Sequence, residues 1–110
     1  MRQEIRNSLD KLFSGTVDTL KIIYFNNKSQ EIMQFGMFGH EIVEDDDVFR
    51  IIDNTEKQNL TPKTVTFYPS TVAFVTYEDD KTEDSILHTR KVIVRMDDQS
   101  RIELSVAAIG

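Results

Sequence analysis

Two patterns of apolar spacing divide this chain, and the change between them comes at Gly15. Over residues 2–13, Ile5, Leu9, Leu12 and Phe13 recur at i, i+4, i+7 and i+8, which is one face of a 3.6-residue period. Arg2, Glu4, Arg6, Asp10 and Lys11 take the opposite face. The spacing predicts an amphipathic helix that stops at Ser14-Gly15, because glycine accepts the left-handed conformation that ends helices. Three turns are marginal in isolation, so the apolar stripe must dock on another element, and a sheet is the expected one.

After Gly15 the period falls to two. Runs rich in β-branched and aromatic residues predict strands over 16–25, 30–38, 40–44, 48–52, 64–68, 70–77, 85–96 and 101–109. Turn residues separate them: "NNKS" at 26–29, "EDDD" at 44–47 and "YEDDKTEDS" at 77–85. "NTEKQNLTPK" at 54–63 is the one long polar connection, and the expected mobile loop. Gly36 and Gly39 mark a bulge or a strand corner. The expected core is Ile5, Leu9, Leu12, Leu20, Ile22, Phe35, Ile51, Val65, Phe67, Val72, Phe74, Val92, Val94, Leu104 and Val106. The fold class is α+β, mainly β: one N-terminal helix packed on a bent antiparallel sheet or small open barrel.

The last hairpin permits a register argument. Val92, Val94 and Met96 alternate with polar neighbours, as do Ile102, Leu104 and Val106, and residues paired across strands share a face. Setting 96 against 102, 94 against 104 and 92 against 106 puts Arg95 opposite Glu103 and Asp97 opposite Arg101. Each opposite-charge pair contributes ~0.2–1 kcal/mol. The choice predicts an odd loop, Asp98-Gln99-Ser100.

Length and composition narrow the function. The 110 residues make one expected domain, 1–110. With no cysteine, disulfides, thiolate zinc sites and cysteine nucleophiles are excluded, and a reducing compartment is favoured. The N-terminus has no apolar signal segment. The longest uncharged run, 64–77, is too short to span a bilayer as a helix and contains Pro69. A cytoplasmic protein without a membrane partner is therefore expected. The net charge of −6, from 13 basic and 19 acidic residues, disfavours nonspecific binding to polyanions but allows a local basic patch.

No catalytic or metal motif emerges. Counted from Asp45, Asp45-Asp46-Asp47 fails the EF-hand pattern at Phe49 and Arg50; a solvated turn is the expected reading. "GHEIVED" at 39–45 starts like a zinc-protease motif but has Glu44 where the second histidine belongs. His40 and His88 share no motif, and are expected at strand ends in contact with solvent. There is no G-x-S-x-G and no phosphate loop. The expectation is a protein that is not an enzyme and uses no cofactor or metal.

The basic residues are the more informative minority. Arg95 and Arg101 are consumed by the cross-strand pairs above. Arg50, Lys63, Arg90 and Lys91 remain, with Tyr68 as a ring beside them. A β-surface with cations and exposed rings is what single-stranded RNA binders use, the cations for phosphate and the rings for bases.

The stretches "LKIIYFNNKSQEIMQFGMFGHEI" (20–42) and "TVTFYPSTVAFVTYEDD" (64–80) give the chain a resemblance to the PrgU-like accessory proteins of Gram-positive conjugative plasmids, whose structure is similar to the PUA class of RNA-binding folds. The resemblance implies a non-enzymatic regulator acting on RNA and carries no residue-level site. The alternative is an acidic inhibitor or decoy that presents Asp45–Asp47 and Glu78–Asp80 to a basic surface of a partner protein, which requires those tips on one side of the molecule. Long strand edges leave room for a dimer without specifying one.

Overall fold

A computed structural model describes residues 1–55 and 63–110. The expected mobile loop at 54–63 falls for the most part outside the described residues. The order of elements is α1 (Arg2–Leu12), β1 (Thr16–Val17), β2 (Leu20–Phe25), β3 (Glu31–Met37), β4 (Glu41–Asp45), β5 (Val48–Ile52), β6 (Thr64–Phe67), a 3₁₀ turn (Pro69–Thr71), β7 (Val72–Asp79), β8 (Leu87–Met96) and β9 (Arg101–Ile109). The protein is mainly β with one N-terminal helix, as the spacing predicts.

Among the described residues the strands form two antiparallel sheets and no closed barrel. The larger runs β3-β2-β9-β8-β7, with β1 also paired to β9; the smaller runs β4-β5-β6. Each sheet turns one face inward, and the two faces share a core with α1. Ile5, Leu9 and Leu12 of the helix meet Leu20, Ile22, Val92, Val94, Leu104 and Val106 of the large sheet, and Phe49, Ile51, Val65 and Phe67 of the small one. Each such side chain contributes about 1.5–3 kcal/mol by leaving water. The Phe49 and Phe67 rings stack at 5.8 Å.

Charged and polar contacts fix both ends of α1. Arg2 reaches the Asp45 carbonyl and lies 3.4 Å from Glu44. At the other end Arg90 Nη1 donates to the Ser14 carbonyl at 2.6 Å and to that of Leu12 at 3.4 Å, beside the left-handed Gly15 (φ +69°). A buried carboxylate, Asp53, braces the corner between β3 and β4. It accepts from the Phe38 and Gly39 amides and from the amide and hydroxyl of Thr55. A Cβ at position 39 would come within 2.9 Å of both the Asp53 carboxylate and the Asn54 amide, so only glycine fits there.

Three expectations need correction. Phe74 is 49% exposed instead of in the core. The pairing of β7 with β8 shifts between Val72 and Phe74, and a one-residue bulge inverts the inward and outward positions beyond it. Val75 and Tyr77 therefore face the core in its place.

The register of the last hairpin is also different. Val94 pairs with Ile102, Val92 with Leu104 and Arg95 with Arg101. The loop is odd, but it is Asp97-Asp98-Gln99: the Gln99 amide donates to the Met96 carbonyl at 3.0 Å, and the Met96 amide to the Ser100 carbonyl at 2.9 Å. Gln99 takes the left-handed position (φ +73°). The observed and expected registers differ by two residues, which leaves every side chain on its own face, so burial does not discriminate between them.

Of the two histidines expected at solvated strand ends, His88 is buried, while His40, next to β4, keeps partial exposure. His88 is 4% exposed, with Nδ1 2.6 Å from Asp79 Oδ1. His40 is half-buried, its ring stacked on Phe13 at 4.2 Å, and burial lowers its pKa.

Candidate functional site

Strand alternation sends Phe74, Thr76 and Glu78 of β7, Lys91, Ile93 and Arg95 of β8, Arg101, Glu103 and Ser105 of β9, and Lys21, Ile23 and Phe25 of β2 to the face of the large sheet opposite the core. Pairing brings four of them into one row across the four strands. Phe25 is opposite Arg101, Arg101 opposite Arg95, and Arg95 opposite Phe74. The Arg101 guanidinium lies 3.7 Å from the Phe25 ring centroid, and that of Arg95 lies 5.6 Å from the Phe74 centroid. A cation over a ring face is attracted by the ring quadrupole. Two arginines thus meet in the middle, with a ring outside each.

Like charges directly opposite one another across strands destabilise a sheet. Glu103 relieves one member of this pair. Its carboxylate accepts from Arg101 Nε at 2.9 Å and lies 3.4 Å from Lys91 Nζ. Burial opposes charge on Glu103, but the Arg101 hydrogen bond and the Lys91 ammonium outweigh it and lower its pKa. Arg95 has no ion pair among the described residues; its guanidinium faces the Phe74 ring. The row therefore holds one compensated and one uncompensated guanidinium, an arrangement that favours an anion between or above them.

The five residues singled out in the sequence do not share one surface. Arg50 stands on the small sheet between Val43 and Thr66. Lys63 precedes β6 and donates to the Gly36 carbonyl at 3.2 Å. Tyr68 follows β6 and is 47% exposed. Arg90 and Lys91 are consecutive in β8, so they face opposite ways. Lys91 belongs to the outer face, two residues along from Ile93. Arg90 is directed inward, tied to the end of α1 and 3.7 Å from Asp79, so it serves as a structural brace. Arg95, Arg101, Phe25 and Phe74 were missed because the expected register gave both arginines carboxylate partners. The bulge at Ala73, which turns Phe74 outward, has no signature in the local sequence.

One ligand atom each of Asp79, Asp80 and His88 lies within 4.8 Å of the others. Protein groups already use this cluster. Asp79 bonds His88 and the Lys81 amide, and Asp80 accepts from the Thr89 amide. Burial works to raise the Asp79 pKa, but the His88 and Lys81 hydrogen bonds and the nearby Arg90 charge lower it overall. The cluster reads as the anchor of Arg90.

The two acidic tips are linked to opposite ends of α1. Asp45 lies at the start of α1 beside Arg2, and Asp79 lies beside Arg90 at its end. Eleven helical residues place these ends about 16 Å apart. Asp47 is bonded to the Ser70 amide at 3.1 Å and to its hydroxyl, so the "EDDD" segment is an anchored hairpin turn.

No helix among the described residues is long and apolar enough to cross a membrane. No family model, curated protein or solved structure matches the chain.

Proposed function

We propose that this chain is a small, non-enzymatic regulatory protein that holds single-stranded RNA on the outer face of its large sheet. The observation that carries the reading is the Phe25-Arg101-Arg95-Phe74 row. It joins two guanidiniums, for phosphate, to two rings on which bases can stack, and among the described residues the Arg95 guanidinium has no carboxylate partner. Base stacking on a ring contributes ~1–3 kcal/mol per base and tolerates any sequence. Lys21 adds positive charge to the same face, where Lys91 is offset by Glu103. The resemblance to PrgU-like accessory proteins points in the same direction.

Fluorescence anisotropy with a labelled oligouridine tests the proposal. Affinity should fall steeply with salt. Arg95→Glu should weaken binding at least ~10-fold, as expected for loss of a charge-assisted phosphate contact. The same change sets Glu opposite Arg101, an opposite-charge pair that should stabilise the fold by ~0.2–1 kcal/mol. Lost binding would therefore not reflect unfolding. Absence of binding at low salt, or unchanged binding by Arg95→Glu, would end the proposal.

A further inference from the structure

A groove of about 440 Å³ opens at the end of this row, where the tips of the β2–β3 and β8–β9 hairpins approach one another. Its walls include Phe25, Ile32 and Met96, and its polar lining includes Arg101, Asn27 and Asp98. Apolar walls with a few convergent polar groups, at this volume, suit a flat small molecule. The row itself requires no such cavity.

The polar groups differ in what they have left to offer. The Asn26 oxygen is fully used, accepting from the Lys28 and Gln30 amides, and its amide donates to the Gln30 side chain. The Asn27 side chain has no partner among the described residues. Asp98 Oδ1 takes the Ser100 amide at 2.9 Å and the Ser100 hydroxyl, while Oδ2 has no partner among the described residues. Arg101 is held between Glu103, Ser29 and the Phe25 ring, so its position at the groove mouth is set before any ligand arrives.

From this geometry we infer that the groove is a single-nucleobase pocket that prefers guanine, with Arg101 on the phosphate side and the Asp98 carboxylate reading the base edge. The inference rests on the nucleic-acid reading of the sheet face. A carboxylate can only accept hydrogen bonds, so its complement is a base edge that donates. Guanine presents two adjacent donors, N1–H and the 2-amino group. Adenine and cytosine present one amino group. Uracil presents an imide N–H between two carbonyls, which a carboxylate repels. Asn27 can donate to the guanine O6 or accept from the amino group.

The test is an NMR titration of the full chain with GMP, AMP, CMP and UMP, in parallel with oligouridine binding. GMP should shift the amide signals of Asn27, Asp98 and Ser100 and bind roughly tenfold or more tightly than UMP, within the range of a good bidentate base contact. Asp98→Asn should bring GMP and UMP to within about threefold of each other, since an amide no longer selects for donors. Ile32→Trp, which fills the groove from its wall, should abolish the GMP shifts and leave oligouridine binding by the row in place. Equal affinity for GMP and UMP, shifts away from the groove, or a GMP preference that survives Asp98→Asn would overturn the inference. Oligouridine binding that persists in the wild type and is lost in Arg95→Glu would then leave the sheet-face reading standing. No oligouridine binding in the wild type would remove that reading independently of the groove.

Discussion

At Asp53 one carboxylate ties two backbone segments together, the Phe38-Gly39 corner and its own stretch through Thr55. It is 5% exposed and accepts from Phe38, Gly39 and Thr55. The Thr55 hydroxyl is the largest influence on its pKa. With the backbone amides it outweighs burial, which acts in the opposite direction, and it brings the pKa below the ordinary 3.8. Asp53→Ala should therefore cost about 1–3 kcal/mol, because it orphans buried amide donors. The sign of the pH effect follows from linkage. A carboxyl whose pKa is lower in the folded state contributes its full stability above its unfolded pKa, and loses it as pH falls through the folded value. In urea unfolding, the stability gap between wild type and Asp53→Asn should be constant near neutrality and narrow below about pH 4.

The β8–β9 hairpin shows how much one backbone conformation can decide at the scale of an element. Two expected ion pairs favoured the other register, at ~0.2–1 kcal/mol each. The chain instead closes on Asp97-Asp98-Gln99 with Gln99 at φ +73°, supported by Ser100 bonding back to Asp98. A non-glycine residue in the left-handed region carries a cost of roughly 1–2 kcal/mol. Gln99→Gly should relieve part of it and raise stability by ~0.5–1 kcal/mol, measurable as a higher midpoint in thermal unfolding. If the hairpin adopted the expected register, Gln99 would sit at the loop centre without a left-handed requirement, and the substitution would give no gain. The bulge in β7 is the companion case. Alternation alone puts Phe74 in the core, and one extra residue moves it into the arginine row.

For the molecule as a whole, Arg90 separates fold from function. It joins the end of α1 to the large sheet through the Ser14 and Leu12 carbonyls, with Asp79 alongside. Arg90→Ala should destabilise the protein by about 1–3 kcal/mol while leaving the oligouridine affinity of the folded fraction unchanged. Arg95→Glu should do the reverse, lowering affinity without lowering the melting temperature. Opposite outcomes from two arginines five residues apart would show that the face on which a cation stands, more than its presence, governs binding. The net charge of −6 does not prevent a local cluster of cations on one face of a sheet.

Local pattern was enough to determine the helix, its glycine stop, most strands and most of the buried residues. Those features depend on spacing along a few consecutive residues: a 3.6 period with an apolar stripe, and a period of two between turn residues. Leu9, Ile22, Val92 and Leu104 are buried for that reason. The arginine row and the groove beside Phe25 depend on which residue of one strand meets which residue of another. A two-residue slip keeps every side chain on its face and a single bulge reverses the face beyond it, so periodicity cannot register the first or locate the second. Only the tertiary packing of loop, bulge and helix decided those positions, and with them where Arg95 stands.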